Sequence, residues 1–140
     1  MNRLDELTEI CKRYRIDILY AFGSRAIQVR DWLFGESEDL DPGSADVDIG
    51  VKPERGVNFT VHDKVDLALA LEKFFRIWRV DLVSLREADP FLAANVIRGE
   101  RLYTCDRYLA DEYDLYILRR AGDLAPLERE RMGLILGEER

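Results

Sequence analysis

Ser44-Ala45-Asp46-Val47-Asp48-Ile49-Gly50-Val51 reads as a short strand with two carboxylates at i and i+2. Side chains alternate along a strand, so Asp46 and Asp48 share one face while Val47, Ile49 and Val51 take the other. Two carboxylates on one face, at the start of an otherwise apolar strand, are costly unless a positive charge sits between them. A hard divalent cation is the simplest candidate, because Mg²⁺ is usually held by one or two carboxylates plus substrate phosphates. The alternative is a solvated strand edge with both charges facing water, and Asp-x-Asp alone does not decide between the two.

N-terminal to this strand, residues 3–14 place Leu4, Leu7, Cys11 and Tyr14 at helical spacing among charges. Ile16-Asp17-Ile18-Leu19-Tyr20-Ala21-Phe22 is nearly continuous in apolar residues and suits a strand buried on both faces. It ends in Gly23-Ser24-Arg25-Ala26. A strand, a Gly-Ser turn and a helix start together make an arrangement able to bind phosphate. Glycine lets the backbone come close, Ser24 can donate from hydroxyl and N–H, and a helix N-terminus favours an anion. Ser24 as an ordinary N-cap is the competing reading. Residues 31–43 hold five acids, one proline and two glycines, and predict an exposed acidic loop with Trp32 and Phe34 pinning one end to the core. A second Asp-x-Asp, at Asp39 and Asp41, is followed by Pro42-Gly43 instead of an apolar strand and reads as a turn.

C-terminal to the strand, Lys52-Pro53-Glu54-Arg55-Gly56 is a loop, and a helix follows from Val61 to Arg76. Thr60 is its expected N-cap, and Val65, Leu69, Leu71 and Phe75 its expected apolar face. His62, the single histidine, reads as a surface residue of the first turn. The stretch from Val80 to Leu85 is a third strand with Asp81 near its start. If it pairs beside the central strand, Asp81 faces the same cleft as Asp46 and Asp48; otherwise it makes a local backbone bond. Asp89-Pro90 opens a helix that stops at Gly99. Residues 101–104 form a short strand, and Asp106 opens a last clear helix with Leu109, Tyr113, Tyr116 and Ile117 inward, ending at Gly122. The tail, 123–140, carries Leu127, Met132, Ile135 and Leu136 among many charges, as a frayed or partner-binding helix.

A chain of 140 residues is one domain with room for a core. With 47% hydrophobic and 35% charged residues it has the composition of a soluble globular protein. A net charge of -7 argues against general affinity for nucleic acid, which needs basic surface to neutralise phosphates. Cys11 and Cys105 form no metal-ligand pattern and fit reduced thiols in a cytoplasmic protein. The first residues are too charged for a signal peptide, and no apolar run approaches a membrane span.

The order of these parts is more specific than any one of them. Phe22-Gly23-Ser24-Arg25-Ala26, then Ser44-Ala45-Asp46-Val47-Asp48-Ile49, then Val80-Asp81-Leu82-Val83 resembles the nucleotidyltransferase superfamily that includes DNA polymerase β, and within it the minimal nucleotidyltransferases. The resemblance covers roughly residues 15 to 105. The stretch between Gly-Ser and the Asp pair is longer than is usual there, because of residues 31–43.

The resemblance implies an α/β fold: a small mixed sheet of about four strands, helices packed mainly on one face, and an open cleft at the Asp edge. It implies that Asp46 and Asp48 bind two Mg²⁺ ions, that Asp81 completes the site, and that Gly23 and Ser24 hold the β- and γ-phosphates of ATP. Arg25 is either a phosphate contact or a structural ion-pair partner. Minimal nucleotidyltransferases of this size often serve as antitoxins that transfer AMP from ATP to a tyrosine of a HEPN-type toxin, with no direct role for nucleic acid. Two other readings stand beside this one. One is a binding antitoxin that acts by occlusion, and the other is a small-molecule nucleotidyltransferase of the aminoglycoside type.

Overall fold

The computed structural model describes residues 2–41, 43 and 45–136, with side chains as far as 122, so Ser44 of the motif lies outside the described residues. Four strands, β1 (Ile16–Phe22), β2 (Val47–Pro53), β3 (Val80–Ser84) and β4 (Glu100–Thr104), form one sheet in the order β3-β2-β1-β4. Strand β1 is antiparallel to β2 and β4, while β2 and β3 are parallel. The expected mixed four-stranded sheet is therefore present. Parallel neighbours need a crossover, and helix α3 (Val61–Phe75) supplies it between β2 and β3.

Helices α1 (Arg3–Arg13), α2 (Ala26–Leu33) and α3 bury Leu7, Val29, Trp32, Leu67, Leu71 and Phe75 against Val47, Ile49 and Val51 of β2. The other face receives α4 (Pro90–Ile97) and α5 (Arg107–Leu136), which place Ala93, Val96, Ala110 and Ile117 against Ile18, Tyr20 and Phe22 of β1. β1 feeds both clusters, which is why it is nearly all apolar. An irregularity between Ile16 and Ile18 shifts its register against β2, and these two residues fall in opposite clusters. Gly50 is where α4 sits down on β2: a Cβ there would run into the Val96 side chain.

Several boundaries differ from the sequence expectation. The acidic loop begins after α2, which carries Asp31-Trp32-Leu33 as its last residues. Trp32 is buried edge-on against Phe74 and Phe75, so burial carries the helix one turn further. Phe34 pins nothing, being exposed. On α3, Leu71 and Phe75 are buried as expected, but Val65 and Leu69 are 51% and 58% exposed, and Leu67 takes the inward position. The helix buries a narrower stripe than its apolar content suggests, and its N-terminus is fixed by a reciprocal Thr60–Asp63 capping box.

On α5, Ile117 is buried as expected, but Tyr116 is exposed, and Ala110 and Ala121 are buried as well. Helix α5 does not stop at Gly122 but runs to Leu136. A glycine costs a helix about 1 kcal/mol, and the surrounding run of Leu, Ala, Glu and Arg outweighs it. The expectations for Leu127, Met132, Ile135 and Leu136 concern side chains outside the described residues. Among the described residues, no helix is long and apolar enough to cross a membrane.

Phe75→Ala is expected to lower unfolding free energy by about 3–5 kcal/mol, because the cavity it leaves is lined by rigid aromatic rings. Val65→Ala is expected to stay within about 0.5 kcal/mol. Urea denaturation of the two variants checks the pair, and equal losses would contradict the stripe described here.

Candidate active site

Three chain segments meet at one end of the sheet. In the parallel pairing Asp48 stands opposite Asp81, and in the antiparallel pairing it stands opposite Phe22, the residue before Gly23. Asp46 lies two residues before Asp48, just ahead of β2. The expected alternation therefore holds: Val47, Ile49 and Val51 point into the α1–α3 core, while Asp48, Gly50 and Lys52 face the other side. Asp48 is half-buried and Asp81 is exposed. The Asp48 carboxyl is raised above the usual carboxylate range, first by burial and then by the charges of Asp81 and Asp46.

Gly23 closes against this group. Its φ is +75°, a left-handed conformation that favours glycine, and a Cβ at this position would collide with the Asp48 carboxylate. Residues Gly23–Arg25 form a single 3-10 turn that leads into α2, and Ser24 is exposed on it. Ser24 is not the N-cap of α2: that position is Arg25, and no side chain caps the helix.

Arg25 is buried, and its guanidinium donates to Gln28 Oε1 at 3.0 Å, to the Ala45 carbonyl at 3.1 Å and to the Asp41 carbonyl. It ties the end of the acidic loop to the Gly23–Arg25 turn. Arg3 does the same for the start of the loop, donating to the carbonyls of Trp32, Ser37 and Glu38 at 2.6, 2.7 and 2.5 Å. Asp41 Oδ1 accepts the Gly43 N–H at 3.0 Å, a turn bond of the kind its sequence context suggests. His62 is exposed and pairs with Asp66 at 3.2 Å along α3.

Sequence reasoning passed over Arg79. Its Nε lies 3.7 Å from Asp46 Oδ1, and its carbonyl accepts the Val47 N–H at 3.2 Å. The signal was the register: Val80 pairs with Val47, which puts the preceding Arg79 beside Asp46.

A hard divalent cation fits this donor set. Asp46, Asp48 and Asp81 offer only oxygen, and their mutual repulsion is what a cation relieves. Among the described residues, no three His, Cys, Asp or Glu side chains converge enough to cage an ion by themselves. Mg²⁺ is commonly held by one or two carboxylates with substrate phosphates completing the shell, so an open set of this kind suits it.

The sequence from 5 to 108 matches the family model described as Polymerase beta, Nucleotidyltransferase. A search of curated proteins finds no match. Among solved structures, a chain of a toxin–antitoxin crystal structure with AMP-PNP is 17% identical at a TM-score of 0.70, the match covering 95% of this chain and 98% of that one. A chain of the tri-AMPylated Shewanella oneidensis HEPN toxin in complex with MNT antitoxin is 19% identical at a TM-score of 0.61, covering 95% and 92%. Both likenesses are of fold. A structure described as a minimal nucleotidyltransferase is 30% identical at a TM-score of 0.50, over 71% of this chain and 94% of that one. With more than half its length matched by the family model, and with its aspartates and Gly-Ser turn gathered at one sheet end, this chain belongs to the polymerase β-type nucleotidyltransferase family.

Proposed function

We propose that the chain transfers AMP from ATP, in a Mg²⁺-dependent reaction, to a tyrosine hydroxyl of a HEPN-type toxin and so acts as its antitoxin. The observation that carries this reading is the register that sets Asp48 opposite both Asp81 and the residue preceding Gly23. The toxin–antitoxin structures that share the fold supply the partner class.

In this reading Gly23 and Ser24 hold the β- and γ-phosphates at the uncapped start of α2, where backbone N–H groups and the helix dipole favour an anion. Asp46 and Asp48 hold Mg²⁺, and Asp81 stands where it can contribute a third oxygen. When bound, Mg²⁺ lowers the pKa of the attacking hydroxyl and neutralises charge on the phosphates. The acceptor oxygen attacks the α-phosphorus, the bond to the bridging oxygen of the β-phosphate breaks, and pyrophosphate leaves. Asp81, the most exposed of the three carboxylates, takes the hydroxyl proton. Arg25 serves the site by holding the loop that enters β2. The exposed row Val61, Val65 and Leu69 on α3 favours the second reading, an antitoxin that works by occlusion.

Intact mass spectrometry of the protein encoded beside this one, incubated with the chain, ATP and Mg²⁺, is expected to show the gain of one or more AMP units. Asp46→Asn with Asp48→Asn should abolish the gain and leave the fold intact. A stable complex without any gain would establish occlusion instead.

The Asp48 shift gives a pH test. Its folded pKa lies above the unfolded value, so its contribution to stability is fully present below the unfolded pKa and is lost as pH rises through the folded one. In EDTA, Asp48→Asn should therefore melt higher than the parent at neutral pH and match it more closely near pH 3. Added Mg²⁺ should raise the parent's melting temperature and leave the variant's unchanged.

Gly23→Ala should cost about 1–2 kcal/mol from the left-handed backbone alone. It should also remove most transfer activity, since the new methyl displaces Asp48. Melting temperature and AMP incorporation measured together check both effects.

A further inference from the structure

The face of β2 that carries Asp48 does not end there. Continuing along the same face come Gly50 and Lys52, with α4 seated on Gly50 and dividing the strand into two ends. Lys52 is four residues beyond Asp48, roughly 13 Å away at strand rise. At that far end lies a small cavity of about 210 Å³ between β2, the β3–α4 loop and α5. Its walls include Lys52, Arg86, Arg120, Tyr113 and Tyr116, and no carboxylate among the described residues lines it. In a chain of net charge -7, a cavity walled by three cations from three separate elements is a local reversal of sign.

The cations are held in place without all being neutralised. Arg86 donates to the Glu54 carbonyl at 3.0 Å and to Asn58 Oδ1 at 3.1 Å, both uncharged partners. The Arg120 guanidinium lies 5.7 Å from the centre of the Tyr116 ring. Lys52 sits 5.4 Å from the centre of the Tyr113 ring and is paired with Asp17 at 2.9 Å. Two full positive charges therefore remain for a ligand. Tyr113 stands at the hub. Burial, then Tyr116 and the Asp114 carboxylate, push its phenol up to about 12, with the guanidiniums of Arg86 and Arg120 pulling the other way, so it is a neutral donor near both. Among the described residues its hydroxyl has no hydrogen-bond partner, which leaves it available to a guest.

We propose that this cavity is an anion site for a phosphate monoester, separate from the nucleotidyl-transfer site at the other end of β2. Two guanidiniums and a phenol lining one cavity, beside an ammonium already paired with Asp17, suit a dianion with three terminal oxygens better than a planar carboxylate, which a single guanidinium fork satisfies. The volume takes the phosphoryl group but not a whole nucleotide. Any attached base or sugar lies at the mouth, beside the exposed Tyr116 ring.

Calorimetric titration in EDTA isolates this site, because without a metal the carboxylates at the other end repel phosphate. The probes are inorganic phosphate and AMP. The parent is expected to bind phosphate saturably. Arg120→Gln should weaken binding about tenfold, the equivalent of one charge-assisted hydrogen bond. Arg86→Gln with Arg120→Gln should abolish it. Arg120 is exposed and lies over the Tyr116 ring, so its single variant stays informative if the Arg86 change loosens the neighbouring loop. Tyr113→Phe, which keeps every charge, should weaken binding several-fold, an effect that a diffuse basic patch would not show. Tighter binding of AMP than of phosphate would identify the source as a nucleotide, and equal binding a simpler phosphate ester. Failure of the parent to bind, or binding that survives loss of both arginines, overturns the proposal.

Discussion

Three like charges at the end of one sheet are the constraint around which this molecule is arranged. Asp46, Asp48 and Asp81 repel one another, and Asp48 shows it in a carboxyl raised by burial and by its two neighbours. Nothing in their own chemistry keeps them together. They stay because Val47, Ile49 and Val51, alternating with the acids, are locked into the α1–α3 core, and because β3 pairs with β2 in the one register that sets Asp81 beside Asp48. Burial of these valines and the isoleucine, each worth roughly 1.5–3 kcal/mol, outweighs the repulsion between partly solvated carboxylates.

The same economy explains the arginines. An acidic segment next to the proposed triphosphate site would be a poor neighbour if its charges pointed inward. Arg3 and Arg25 hold it by its backbone carbonyls, leaving Glu36, Glu38, Asp39 and Asp41 exposed. Leu40 is turned into the core between the two ties. The loop is thus positioned by side chains from elsewhere in the fold, and its composition says little about its path. Arg79 completes the pattern as an exposed cation set beside Asp46 by strand register.

The second face of the sheet is tied down by polar contacts. Tyr20, fully buried in β1, donates its hydroxyl to Asp114 Oδ1 at 2.5 Å, and Asp114 Oδ2 accepts from Arg101 of β4 at 3.2 Å. This chain links β1, β4 and α5 and fixes the long helix against the sheet. Tyr113, one residue earlier on α5, has its ring centre 5.4 Å from Lys52 Nζ. One strand face thereby carries acids at one end and a cation at the other, with α4 between them.

The amino-acid sequence by itself determined the parts whose physics is local. Alternation along Asp46-Val47-Asp48-Ile49 fixed which face each side chain takes. The apolar run 16–22 fixed a strand buried on both sides. Thr60 and Asp89 marked helix starts that the structure shows capped. The order of the Gly-Ser turn and the carboxylate strands was enough to point to the family. What tertiary structure alone decided depends on contacts distant in sequence. Whether Asp81 faces Asp48 rests on strand pairing. The need for glycine at 23 rests on a carboxylate 25 residues away, and the loop-holding job of Arg25 rests on carbonyls 16 and 20 residues away. Val65, Leu69 and Tyr116 show the limit from the other side. Helical spacing tells which residues share a stripe, but the width of the neighbouring surface settles how much of that stripe is buried.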